Sequence, residues 1–377
     1  MAAGKMTSVD RMTLAQRVEN ELRRRILSGI YKPHTYIPSE RQLTREFGVN
    51  RATVGRALQA LQKAGLVVQT TGRGTRVLHP LDRLKTPVIG VFHGLSSESV
   101  GSAFRGSLTT LEGVQSALKA LGHRNEVVLC RPGSLKAEWV RENFGGAIFV
   151  EQHDWEEIRK LEAAKVPVVV AKLEVDIEVS ATWVDHEAST REAVAVLARL
   201  GHRRIALVAR DPSYAHYGHV HRGYIAGLQE ASIPFDEALV AICEKTDALS
   251  GYLATRPLLN LANPPTGIVA GRDTIAEGVC RAVKEAGLMV GHHVSVIGFD
   301  DLTWPQEEPF LTTFREPCYE MGAAAVEMLI ERIVNGWRPP EKRRFDTPFI
   351  LRRSAGPPLP WPESRKGTDE PSQGPPS

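Results

Sequence analysis

The chain has 377 residues, 47 Lys and Arg against 44 Asp and Glu, and a hydrophobic fraction of 42%. That length supports two or more domains with real cores, while the longest purely apolar run, "VPVVVA" at 166–171, is far too short to span a bilayer. The opening "MAAGKMTSVDRM" has no apolar signal core, so a soluble, cytoplasmic protein is expected. Cys130, Cys243, Cys280 and Cys318 lie far apart with no C-x-x-C pair, which fits buried reduced thiols better than disulfides or a thiolate metal site.

The net charge of +3 conceals an asymmetry. Residues 11–80 hold thirteen Lys and Arg and four Asp and Glu, a balance of +9; residues 1–10 cancel, so 81–377 carries 3 − 9 = −6. A small basic segment on a larger, mildly acidic body points to a polyanion-binding module, set against the plainer reading of a solvated basic face.

In chain order, residues 1–10 read as a flexible start. In "LAQRVENELRRRILSG", Leu14, Val18, Leu22 and Ile26 recur every fourth residue, which predicts an amphipathic helix ended by Gly29. "IPSERQLTREFG" predicts a second helix with Ser39 as a possible cap, and "VNRATVGRALQALQKAG" a third with Asn50 as N-cap. Two short helices joined by a tight turn form a helix-turn-helix whose second helix can enter the major groove. "LVVQTTGRGTRVL" then reads as two strands around a glycine-rich tip, a wing. A nucleotide-phosphate loop in "GRGTR" would need a helix after the glycines, and a strand follows instead.

Within this module, at 11–78, the first turn of the third helix carries Arg51, Ala52 and Thr53, with Asn50 and Arg56 flanking. Arg51 suits a guanine edge and Thr53 a base or phosphate. Arg41, Arg45 and Arg73 suit phosphates, and Gly72 lets the wing backbone approach closely. "PSERQLTREFGVNRATVGRALQALQKAGLV…GRGT" closely resembles the winged-helix domain of the gluconate-repressor (GntR) family over about 14–78. The resemblance implies DNA contacts by Arg41, Arg51, Thr53, Thr71 and Gly72. Two positions depart from it: Gly55 stands where the family usually has arginine, and His34 where it has glycine. Arg56 lies about 100° around the helix from Gly55 and is no simple substitute.

"HPLDRLKTP" at 79–87 reads as a linker. Beyond it, "PVIGVFH", "GGAIFV", "VPVVVAKL", "RRIALVA", "TGIVAG" and "VSVIGFD" are short apolar strands alternating with helix-like segments. The expected class is α/β, a parallel sheet flanked by helices, and 88–355 is long enough for two lobes. Such lobes bind ligands at the C-terminal ends of their strands. This region resembles the sugar-binding body of the lactose/galactose-repressor (LacI/GalR) family, itself like a periplasmic binding protein. The resemblance rests on "LARLGHRRIALV", "RGYIAGLQEA", "PTGIVAGRDTIAEGVCRAVKEAGL…VSVIGFDDL" and "LTTFREPCYEMGAAAVEMLIERI".

The family resemblance implies an effector pocket near "HYGHVHRGY" (216–224). Val220 stands where relatives place a sugar-holding arginine, and His216 lies on nearly the same helical face. Arg272-Asp273 replaces the usual Asn-Asp, and Asp300 is retained. His93 and Phe104 fall near the usual contacts of the first lobe. These changes predict that Arg272 and His216 read a carboxylated or otherwise polar ligand, the alternative for Arg272 being a structural ion pair. His216, His219 and His221 also raise a metal site, a metal sensor or a metal-dependent enzyme, but they lack the His-Glu-x-x-His helix of zinc hydrolases.

The whole predicts a DNA-binding transcriptional regulator, a repressor controlled by a sugar or sugar acid. It works without enzymatic activity, metal or cofactor, as a homodimer joined through "GVQSALKALG" and "EMGAAAVEML". The Pro- and Ser-rich tail 356–377 is expected to be disordered.

Overall fold

A computed structural model describes residues 13–361, apart from 28, 71, 79–87, 95–101, 132, 151–153, 174–175, 215 and 302–308. The linker 79–87 and Thr71 thus lie outside the described residues. Contacts divide the chain into two units, 1–96 with 107–183 and 318–343, and 97–106 with 184–317 and 344–377.

The first unit begins with α1 (Leu14–Leu27), α2 (Glu40–Phe47), α3 (Arg51–Lys63) and the hairpin of β1 (Val67–Thr70) and β2 (Gly74–Val77). Of the apolar stripe read in α1, Val18, Leu22 and Ile26 are buried and join Val54, Leu58 and Leu61 of α3 in one cluster, while Leu14 at its start is 59% exposed. Ser39 and Gln42 form a reciprocal capping box at α2, satisfying two otherwise orphaned N–H groups. His34 adopts φ +65°, the left-handed conformation that a glycine would take without strain.

The same unit contains β3 (Val88–Gly94), α4 (Ser102–Ala120), β4 (Arg124–Cys130), α5 (Ala137–Asn143), β5 (Gly146–Val150), α6 (Trp155–Ala163), β6 (Val168–Ala171) and β7 (Ala181–Val184). In the second unit lie α7 (His186–Arg199), β8 (Ile205–Arg210), α8 (Tyr217–Glu230), β9 (Val240–Cys243), α9 (Ala248–Leu259), β10 (Gly267–Ala270), α10 (Asp273–Glu285), β11 (Ser295–Asp300) and β12 (Thr312–Arg315). The chain returns to the first unit for α11 (Cys318–Asn335) and β13 (Lys342–Phe345), and β14 (Phe349–Ile350) completes the second.

Each lobe holds one six-stranded sheet, in the orders β13-β7-β6-β5-β3-β4 and β14-β12-β11-β10-β8-β9. Pairing is parallel from β4 through β7 and from β9 through β12, with β14 antiparallel to β12. Helices on both faces leave the inner strands apolar on both sides: β5, β6, β10 and β11 are buried along their whole length. Side chains just past their C-terminal ends are therefore the ones free to meet a ligand.

Two expectations change. The apolar side of "EMGAAAVEML" on α11, read as part of a dimer seam, is packed within its own lobe, where Met321, Ala324, Ala325, Val326, Met328 and Leu329 are buried, while Glu320 is exposed and Ala323 and Glu327 are partly so. Residues 356–361, expected to open a disordered tail, pack on the second lobe: His202 Nε2 lies 3.1 Å from the Gly356 carbonyl, Leu359 N donates to the His292 carbonyl, and Trp361 joins an apolar cluster. Residues 362–377 lie outside the description.

Candidate DNA interface and effector site

The basic residues of the helix-turn-helix point outward. Arg41, Arg45, Arg51, Ala52, Arg56, Gly72 and Arg73 are exposed, and a cleft of about 870 Å³ opens among Arg41, Arg45, Arg51, Gln69 and Gly72. Arg51 has 85% of its side chain exposed, with Nε 2.8 Å from Glu40 Oε2. An ion pair this exposed is weak, so a base or phosphate can replace Glu40 as partner.

Asn50 caps α3 as the sequence predicts, whereas Thr53 sits differently from the expectation of a base or phosphate contact. Asn50 Oδ1 accepts from both Thr53 N and Thr53 Oγ1, each at 2.9 Å, and Thr53 is 7% exposed. The Thr53 hydroxyl is thus turned into the α3 cap, while Asn50 caps the helix from an exposed position. At Gly55, an added Cβ would meet nothing within 4 Å, so the missing arginine reflects no steric bar.

In the second lobe, the C-terminal ends of β8, β10, β11 and β12 gather a buried polar cluster. Arg272, before α10, places Nη1 2.9 Å from Asp300 Oδ1, the two side chains being 7% and 2% exposed. Arg272, read as a contact to a carboxylated or otherwise polar ligand or else as half of a structural ion pair, does pair with Asp300, so an anionic ligand at Arg272 would have to face that carboxylate. Asp300 and Asp301 take φ +113° and +56°, a backbone strain of the kind that accumulates at functional sites. Arg315 and Arg352 hold Asp301 at 2.8 and 2.7 Å, which fixes this turn.

His216 precedes α8 and is 2% exposed. Its ring is sandwiched between His186 at 4.1 Å and Tyr217 at 4.3 Å. Both faces are covered, so only the ring edge can offer a hydrogen bond. His186 Nε2 in turn lies 3.5 Å from Glu316 Oε1. Val220, by contrast, is a core residue, 1% exposed in the cluster of Leu207, Tyr224 and Phe299.

The three clustered histidines do not converge. His219 Nδ1 meets Arg222 Nη2 at 2.8 Å on the surface, and His221 Nε2 meets the Arg210 carbonyl at 3.0 Å. Among the described residues no three His, Cys, Asp or Glu side chains form a group that could hold a metal.

The first lobe offers less. His93 lies one residue before the end of β3, is 1% exposed, and has Nε2 3.1 Å from Ser107 Oγ; burial pushes its imidazole below the ordinary pKa. Lys172, past the end of β6, is 6% exposed with φ +63°. Phe104 lies on α4, and its side chain is outside the description. His186, Glu316 and Lys172 were not singled out in the sequence; each directly follows or lies near a strand end, and that position was their only signal.

Comparison with known proteins places both modules. The model of bacterial regulatory proteins of the gntR family matches residues 14–77, and that of the periplasmic binding protein-like domain matches 194–355. The chain is 29% identical over 329 residues to the arabinose metabolism transcriptional repressor of Geobacillus stearothermophilus, covering 82% of this chain and 88% of that one. It is 33% identical over 193 residues to the HTH-type transcriptional regulator AglR of Rhizobium meliloti, spanning 49% of this chain and 54%, about half, of the relative. Among solved structures, a LacI family transcriptional regulator from Enterococcus faecium with bound ribose superposes with a TM-score of 0.60 at 26% identity, covering 72% of this chain and 99% of that one.

Proposed function

We propose, from a chain that joins a gntR-family winged helix-turn-helix at 14–77 to a periplasmic-binding-protein-like body, that this protein is a transcriptional repressor whose hold on operator DNA is set by a small molecule. The carrying observation is the pairing of an exposed arginine face on α3 and the wing with a buried polar cluster at strand ends of the second lobe. The first suits a polyanion, the second a small ligand. The repressor acts in the cytoplasm, as a dimer on a near-palindromic site, and has no catalytic role. Val127 and Leu129, 42% and 62% exposed on the edge strand β4, form an apolar edge that a second copy would cover.

The effector is a hydroxyl-rich molecule of the sugar class. Arg272 with Asp300 presents a donor beside an acceptor, which matches vicinal hydroxyls better than a carboxylate. Effector binding shifts the protein between two conformations by no more than its differential affinity for them.

A mobility-shift titration on the DNA upstream of the protein's own reading frame, with neutral sugars and sugar acids, tests this. We expect a shift that one neutral sugar reverses. Release by an acid alone would reassign Arg272 to the ligand, and no shift, with turnover of a panel member, would restore an enzymatic reading.

A further inference from the structure

The winged helix is not simply strung on a linker; its first helix is bonded to the first lobe. Arg23 on α1 donates from Nη1 to Asn335 Oδ1 at 2.7 Å, in the last turn of α11. Both ends of this bond are pre-set. Asn335 Nδ2 donates to the Glu331 carbonyl at 2.9 Å, which turns Oδ1 toward α1, and Arg23 Nη2 is held by Glu19 at 2.8 Å. A guanidinium at a helix C-terminus also meets the negative end of its dipole. Beside it, the turn after α1 touches α4: a Cβ at Gly29 would lie 3.3 Å from the Ala120 carbonyl. The apolar cluster of α1 and α3 runs on into Leu118, Leu329 and Ile330 of the lobe.

The other end of α11 follows directly on the second lobe's site. Glu316, paired with His186, is separated from Cys318 at the start of α11 by Pro317 alone. Between its two ends α11 is an 18-residue helix, a rod of about 27 Å. It is locked to α4 by two reciprocal glycines. A Cβ at Gly113 would fall 2.1 Å from the Tyr319 carbonyl, and one at Gly322 would fall 2.1 Å from that of Thr110. Such close packing transmits a displacement rather than absorbing it.

We propose that α11 is the element that carries effector occupancy to the DNA-binding module, with Arg23–Asn335 as the coupling at its far end. This rests on the regulatory reading above. The winged helix then answers to the first lobe as a docked body, and weakening the seam separates ligand sensing from DNA release without touching either binding surface.

Hydrogen exchange on the full-length protein, free of DNA, tests the seam. In Asn335→Ala, amides in the second half of α1 should exchange about tenfold faster than in the wild type, while β5 and β11 stay unchanged. Asn335→Asp, which keeps an acceptor opposite Arg23, should restore the wild-type rate. Unchanged α1 exchange in Asn335→Ala overturns the seam.

Fluorescence anisotropy on the upstream DNA, titrated with L-arabinose, D-ribose and cellobiose, tests the signal. The sugar that shifts wild-type affinity should shift Asn335→Ala at least about fivefold less, with sugar-free affinities within about threefold. An equal shift overturns the coupling. A wild type that binds DNA but answers to no sugar counts against the effector reading instead, and the exchange result still decides the seam.

Discussion

Arginine is put to opposite uses in the winged helix and in the second lobe. Arg51 has 85% of its side chain in solvent and only a surface glutamate for company; Arg272 has 7% and a buried aspartate. An exposed guanidinium keeps its field and its hydrogen-bond fork for an incoming phosphate or base edge. A buried one is tolerated only with its counter-charge in place. The first surface leaves its charge open to a polyanion; the second already spends its guanidinium on a buried carboxylate. Residue type alone did not separate these cases, and burial did.

The largest effect that could break this contrast is loss of the buried pair. Arg272→Ala leaves Asp300 buried without its partner, and we expect about 3–5 kcal/mol of destabilisation in denaturant melts. The double change Arg272→Met with Asp300→Leu should recover most of that loss while abolishing response to any sugar. A single Arg272→Ala that melts like the wild type would show that the pair is no more constrained than the surface arginines.

The converse holds at the DNA face. Arg51→Ala should weaken operator binding by about 1–3 kcal/mol, roughly 5- to 150-fold, and leave the melting profile unchanged, because its partner Glu40 is itself solvated. Thr53→Ala, by contrast, should destabilise the module by about 1 kcal/mol through loss of hydrogen bonding around the α3 cap. If Thr53→Ala weakens DNA binding as much as Arg51→Ala without any change in stability, its side chain faces the bases after all.

What the sequence disclosed follows the same division. The winged helix and the parallel sheets were legible because their signals are local: a four-residue stripe in α1, a serine cap on α2, short apolar strands closed by glycine. The helix α9 was not read, since its Leu249 and Leu253 are exposed and Pro257 lies within it, so neither stripe nor boundary stands out. Thr53 and Val220 were placed on the right helices, but which face of each is covered depends on packing partners that periodicity does not name. The stacked His186 and His216 lie 30 positions apart, and Glu316 a further 100. No short motif unites them; the sheet does, by ending several strands on one side.

The smallest effect concerns acid. The second lobe contains a buried imidazole that titrates. His202, with Nδ1 2.9 Å from Thr266 Oγ1 and Nε2 3.1 Å from the Gly356 carbonyl, ties residues 356–361 to the lobe, and burial pushes its pKa below the ordinary value. A depressed histidine pKa means that the unfolded chain binds the proton more readily than the folded one. The stability it contributes is therefore complete above about pH 6.5 and is lost as pH falls through the folded value. Melts of the full chain between pH 7.5 and 5.5 should show the second lobe losing stability. His202→Gln, which keeps an amide for the Gly356 carbonyl, should flatten that component of the dependence. An unchanged slope in His202→Gln would place the acid sensitivity elsewhere, with His93 of the first lobe, also depressed by burial, as the next group to replace.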